Sequence, residues 1–93
     1  MSAKAVKVRI RGSVQGVFFR AWIKDKAERG GVQGWVRNRL DGEVEALFIG
    51  EAAAVETLIA ECRKGPPQAN VDQVKAEPAQ GLAEAGFQIK PTV

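Results

Sequence analysis

Between Gly12 and Arg20 the chain reads Gly12-Ser13-Val14-Gln15-Gly16-Val17-Phe18-Phe19-Arg20, a segment holding the residue types from which an anion site can be built. Its two glycines let successive backbone N–H groups turn inward as a nest. Arg20 adds a planar fork of donors that matches phosphate or carboxylate. A helix starting here would contribute unpaired N–H groups and a partial positive charge. The same residues also suit an ordinary strand-to-helix connection with its arginine in water, and composition alone leaves both readings open. The segment is neither a P-loop nor the dinucleotide-binding Gly-x-Gly-x-x-Gly pattern.

What the rest of the chain lacks narrows the chemistry. There is no histidine, so the commonest general base and transition-metal ligand is missing. The one cysteine, Cys62, forms no internal disulfide, and it falls in line with Val55, Leu58 and Ile59 on a helical face, as an inert core thiol does. A net charge of +3 is mild, and the basic residues Lys4, Lys7, Arg9 and Arg11 alternate with Val6, Val8 and Ile10. A polynucleotide partner would call for a clustered basic face, so none is expected. Nor is a membrane partner, because no apolar run approaches the roughly 20 residues of a span. The start of the chain alternates charged and apolar residues, unlike a signal peptide. The expectation is one cytoplasmic, soluble domain over residues 1–93, of which 45% are apolar.

The elements that must position the glycine loop follow from periodicity. Residues 4–11 alternate with period two and predict a strand. From Phe19 to about Arg29 the spacing of Phe19, Trp22, Ile23 and Ala27 is helical, with Gly30 and Gly31 as the left-handed stop. A strand over 32–38, a turn centred on Asp41-Gly42 and a strand over 43–49 form a hairpin. Residues 51–64 predict a second helix closed by Gly65 and Pro66, 71–77 a fourth strand, and 86–90 a short fifth strand after a polar loop.

The order β-α-β-β-α-β with one added strand is the α+β ferredoxin-like pattern, in which two helices cover one face of an antiparallel sheet. In that topology strands one and two run the same way. Strand one ends in the glycine loop and strand two at Asn38, so both meet at one edge of the sheet.

Read as a pattern, Gly12-Ser13-Val14-Gln15-Gly16-Val17-Phe18-Phe19-Arg20-Ala21-Trp22 resembles the first signature of the acylphosphatase family. Gly34-Trp35-Val36-Arg37-Asn38-Arg39-Leu40-Asp41-Gly42-Glu43-Val44-Glu45 resembles the second. The stretch from Gly65-Pro66-Pro67 to Val71 resembles the family's passage from second helix to fourth strand, so the likeness covers essentially the whole chain. It departs at Gly31, where the family more often has a larger apolar residue.

The resemblance implies a metal-free and cofactor-free hydrolase of small-molecule acyl phosphates. In it Arg20 would be the phosphate ligand, Asn38 would orient the attacking water, and Gln15, Gly16, Val17, Phe18 and Phe19 would form the backbone cradle. A phosphate or sulfate ion is expected in that cradle, and a monomer in solution. The substrate bond is a mixed anhydride whose carboxylate leaving group has a conjugate-acid pKa of roughly 4. It departs unprotonated, which suits a segment with no acidic residue between Gly12 and Arg20.

Two rivals remain at this level. One is an RNA-binding module of the same topology, for which strand three offers only Phe48 as a stacking platform. The other is a stand-alone relative of the acylphosphatase-like domain of carbamoyl-phosphate-handling maturation proteins. Arg37, Arg39, Asp41 and Glu43 read as solvated surface around the hairpin turn; Phe18, Phe19 and Trp22 read as core or pocket wall.

Overall fold

The computed structural model describes residues 2–80 and 86–93; the end of the polar loop expected before strand five lies outside them. The elements run β1 (Ala3–Ser13), α1 (Phe19–Gly30), β2 (Gln33–Asn38), β3 (Val44–Glu51), α2 (Ala52–Lys64), β4 (Asn70–Pro78) and β5 (Phe87–Ile89). The sheet order is β4-β1-β3-β2-β5. Both β1 and β2 pair antiparallel with β3, so they run in the same direction. Ile10 of β1 and Asn38 of β2 lie opposite the same residue, Val44. The edge expected from the topology is therefore present in the register. The short strand β5 joins the outside of β2 in parallel, with Ile89 beside Val36.

Alternation decides which face is covered. Val6, Val8 and Ile10 of β1, with Val44, Ala46 and Phe48 of β3, point into one core with Phe19, Ile23 and Ala27 of α1 and Val55, Leu58, Ile59 and Cys62 of α2. Phe48 is wholly buried there, which removes the one aromatic platform the RNA reading had in strand three. Burial also pushes the Cys62 thiol up to about 12, so it stays protonated and unreactive near neutrality.

The end of α1 shows how local chemistry closes an element. Gly31 takes φ 71°, its N–H donates to the Glu28 carbonyl at 3.3 Å, and the Val32 N–H donates to the Ala27 carbonyl at 2.8 Å. This is a Schellman cap, completed by the buried pair Ala27 and Val32. The turn returns the chain directly into β2.

Gly34 on β2 adopts φ 134°, and a Cβ there would overlap the Leu47 carbonyl oxygen on β3. No side chain fits without parting the two strands. Gly34→Ala should lose about 3 kcal/mol or more, lowering Tm by at least about 10 °C for a domain of this size. Calorimetry checks this, and a variant melting within a few degrees of the wild type would refute the close approach.

Candidate active site

The loop leaving β1 is held open by its own backbone. Gly16 takes φ 75°, and Phe18 takes φ 61°, the only described non-glycine residue in the left-handed region. For a bulky residue that conformation is strained, and such strain persists only where surroundings enforce it. Its consequence is an exposed phenyl ring: Phe18 is 80% exposed, whereas Phe19 is 2% exposed and in the core. Of the two readings for Phe18, core or pocket wall, the core one is corrected: the exposed ring lines two cavities instead. The αL residue turns its ring outward while its neighbour enters the interior.

Among the described residues, the backbone N–H groups of residues 15–20 donate to no protein acceptor. Helix α1 begins at Phe19 with no side-chain cap and no acidic residue in its first turn, so its positive end is uncompensated. Arg20 is half-buried on that first turn. Six other arginines, at 9, 11, 29, 37, 39 and 63, each hold a carboxylate or a carbonyl. Arg20 alone, among the described residues, has no such partner. With Gly16, Phe18, Phe19, Ala21 and Ile89 it lines a cavity of about 310 Å³. A row of free donors beside an unpaired guanidinium is an arrangement chemically suited to receive an anion.

Gln15 ties the loop to the hairpin. Its side-chain Nε2 donates to the carbonyls of Arg39 at 2.8 Å and Glu43 at 3.0 Å, fixing the loop against the residue after Asn38. On the other side, Ile89 lines the Arg20 cavity and lies beside Val36, two residues before Asn38. Asn38 thus sits at the strand end bracketed by both contacts. Its Oδ1 is buried and has no hydrogen-bond partner among the described residues. The protein thus leaves this acceptor free to take a hydrogen bond from a small donor such as water. The strand end is further pinned where the Val93 N–H donates to the Asn38 carbonyl at 3.2 Å and the Leu40 N–H to the Val93 carbonyl at 2.6 Å.

Behind Asn38 lies a charge cluster that sequence reasoning missed. Glu45 is 1% exposed. It accepts from Arg37 Nε at 2.8 Å and Arg39 Nη1 at 3.1 Å, with Lys7 Nζ at 3.4 Å. Arg37 and Arg39, expected as solvated surface, are half-buried because they bracket this carboxylate from both sides of Asn38; Glu43, also expected in solvent, is half-buried against Arg9 and Arg11. The signal lay in the alternation: with Val44 turned inward, Glu45 must share the outer face with the basic residues of β1 and β2.

Burial works to raise the Glu45 pKa, but the hydrogen bond and charge of Arg37, with Lys7 and Arg39, outweigh it and hold the carboxyl below its ordinary 4.5. A depressed carboxylate pKa contributes stability that is present above about 4.5 and lost as pH falls through the folded-state value. Urea midpoints should therefore drop on acidification below pH 4.5 in the wild type, and drop less steeply in Glu45→Gln. Parallel acid limbs for the two proteins would contradict this.

A cavity of about 520 Å³ lies between the C-terminal end of α1 and the start of α2, at the opposite ends of the helices. Among the described residues no three His, Cys, Asp or Glu side chains gather as a metal site, and no helix is long and apolar enough to cross a membrane.

Comparison with known proteins decides the family. The acylphosphatase family model matches residues 6–89. The chain belongs to the acylphosphatase family. An acylphosphatase of Rhodospirillum rubrum is 49% identical over 90 residues, which cover 97% of this chain and 99% of that one. The solved acylphosphatase of Coxiella burnetii is 35% identical with a TM-score of 0.91, over 95% of this chain and 93% of that one. Full-length HypF in its phosphate- and nucleotide-bound form contains a similar unit: TM-score 0.89 and 25% identity over 98% of this chain but 12% of that one. As an acylphosphatase the protein is an enzyme that hydrolyses acyl phosphates, and the ferredoxin-like α+β architecture is that of the family's solved members.

Proposed function

We propose that the Arg20 cavity is where the acyl phosphate is bound and cleaved, with the phosphoryl oxygens received by the backbone N–H groups of Gln15, Gly16, Val17, Phe18 and Phe19 and by the guanidinium of Arg20. The observation that carries this reading is the coincidence of unpaired donors in the loop with an unpaired, buried acceptor on Asn38 at the same sheet edge. Donors suit the phosphate, and the acceptor suits a water. Asn38 Oδ1 accepts one hydrogen bond from that water and turns its lone pair toward phosphorus.

Attack by the water oxygen forms the new P–O bond while the bond from phosphorus to the acyl oxygen breaks, and the electron pair leaves with the carboxylate. The proton of the water passes to a phosphoryl oxygen, since neither histidine nor a loop carboxylate is present to take it. Positioning and charge neutralisation are the main requirements of phosphoryl transfer. The cradle and Arg20 supply both. Inorganic phosphate or sulfate would occupy the same donors and inhibit competitively. Every group comes from one chain, so we read the active species as a monomer.

The test is release of benzoate from benzoyl phosphate in excess chelator, followed with phosphate as inhibitor. Rapid hydrolysis that survives chelation, is inhibited competitively by phosphate and shows no ionisation of an enzyme base in its pH profile supports the mechanism. A clear enzyme base with a large solvent isotope effect would refute the substrate-assisted proton transfer.

A further inference from the structure

Next to the Arg20 cavity lies a second one, of about 460 Å³, whose walls include Val17, Phe18, Ala21 and Trp22 on one side and Pro66 and Pro67 on the other. The two cavities share Phe18 and Ala21. From this continuity we infer that the second cavity receives the acyl group of the substrate and that its apolar walls make the enzyme favour acyl phosphates with extended hydrocarbon or aromatic acyl chains. The inference rests on the Arg20 cavity being the phosphate site.

Three features argue for a ligand chain over bare surface. First, Phe18 is strained at φ 61° and 80% exposed, a conformation that places an apolar ring on the ridge common to both cavities. Second, the far wall is stiff and fixed to the cradle. Prolines 66 and 67 begin a turn closed by the Ala69 N–H donating to the Pro66 carbonyl at 3.0 Å. A Cβ on the preceding Gly65 would come within 3.1 Å of the Phe19 ring, so this turn packs directly on the residue after Phe18. Third, Trp22 is held in place, edge-on to Phe19 with centroids 5.5 Å apart. An acyl chain leaving a phosphate in the cradle thus meets an apolar, preformed groove within one residue of the site. A charged acyl group would find no counter-charge among those six residues.

Straight-chain alkylphosphonates test this without turnover, because they keep the phosphate-like head and extend only the tail. In a Trp35→Phe background, Trp22 is the sole tryptophan and its emission reports the groove. Inorganic phosphate and methylphosphonate should bind alike with little emission change. From methyl- to butyl- to hexylphosphonate affinity should rise by up to about fourfold per methylene, and at least tenfold across the series, with emission shifting in step. Pro67→Asn should flatten the series to within about threefold and leave phosphate affinity unchanged. Affinity independent of chain length, or a series untouched by Pro67→Asn with Trp22 emission silent, would overturn the acyl groove while leaving the cradle intact. Failure of inorganic phosphate itself to bind would overturn both.

Discussion

Replacing Arg20 by alanine should bring benzoyl phosphate hydrolysis to near background, with kcat/KM down by more than about 1,000-fold. Loss of one preorganised donor typically costs about 100- to 1,000-fold in rate, and Arg20 supplies two donors and a full charge. No other arginine can take over, because among the described residues the rest are engaged with carboxylates or carbonyls. Arg20→Lys should recover little, since an ammonium cannot reproduce the planar fork. Stability should scarcely change: Arg20 makes no side-chain contact with a charged partner that truncation would strand. Steady-state kinetics beside thermal melts separate the outcomes, and an alanine variant with a tenth of wild-type activity would remove Arg20 from the phosphate site.

The second large effect concerns Asn38. Asn38→Ala should lower kcat by about 100- to 1,000-fold while KM and the inhibition constant for phosphate stay within about threefold. The asymmetry follows from the proposed division of labour, in which the cradle and Arg20 hold the phosphate and Asn38 Oδ1, buried and without a partner among the described residues, receives the water. An interaction that orients the nucleophile is felt in the transition state more than in the ground state. Asn38→Asp should also be poor, because it places a negative charge beside a phosphoryl group. A rise in KM with kcat preserved would reassign Asn38 to substrate binding.

Much of this architecture was legible in the chain because it rests on periodicity. The period-two run of β1, the helical spacing of Phe19, Ile23 and Ala27, and the glycine stop at Gly31 each match the described elements to within a few residues. The meeting of the loop with Asn38 followed from strand direction alone and appears in the shared register opposite Val44.

Features that depend on register or on a single dihedral were not legible. The burial of Glu45 required knowing that Arg37 lies directly opposite it and that Lys7 and Arg39 reach it from the sides. The outward ring of Phe18 hangs on one left-handed residue, which no propensity argument assigns to phenylalanine. Nor does a five-residue stretch announce whether it pairs parallel or antiparallel, so the placement of β5 beside β2 had to be seen. The roles expected of Arg20 and Asn38 rest on resemblance, whereas the lack of partners for Arg20 and for Asn38 Oδ1 among the described residues is a feature of the folded chain.

The interior position of β1 in the sheet bears on how the chain reaches this state at all. This strand precedes both of its neighbours, β3 and β4, in the chain, so Val6 must wait for Phe48 on one edge and for Pro78 on the other. Such distant pairings close large loops before any contact rewards them, which places this domain among slower folders than helical chains of its length. Until both neighbours arrive, β1 exposes two open edges and the apolar row of Val6, Val8 and Ile10, the combination most prone to association between unfinished chains. Lys7, Arg9 and Arg11 on its other face gain their partners Glu45 and Glu43 only when β3 arrives; until then they put like charges on any two copies that approach, and so guard the unfinished chain.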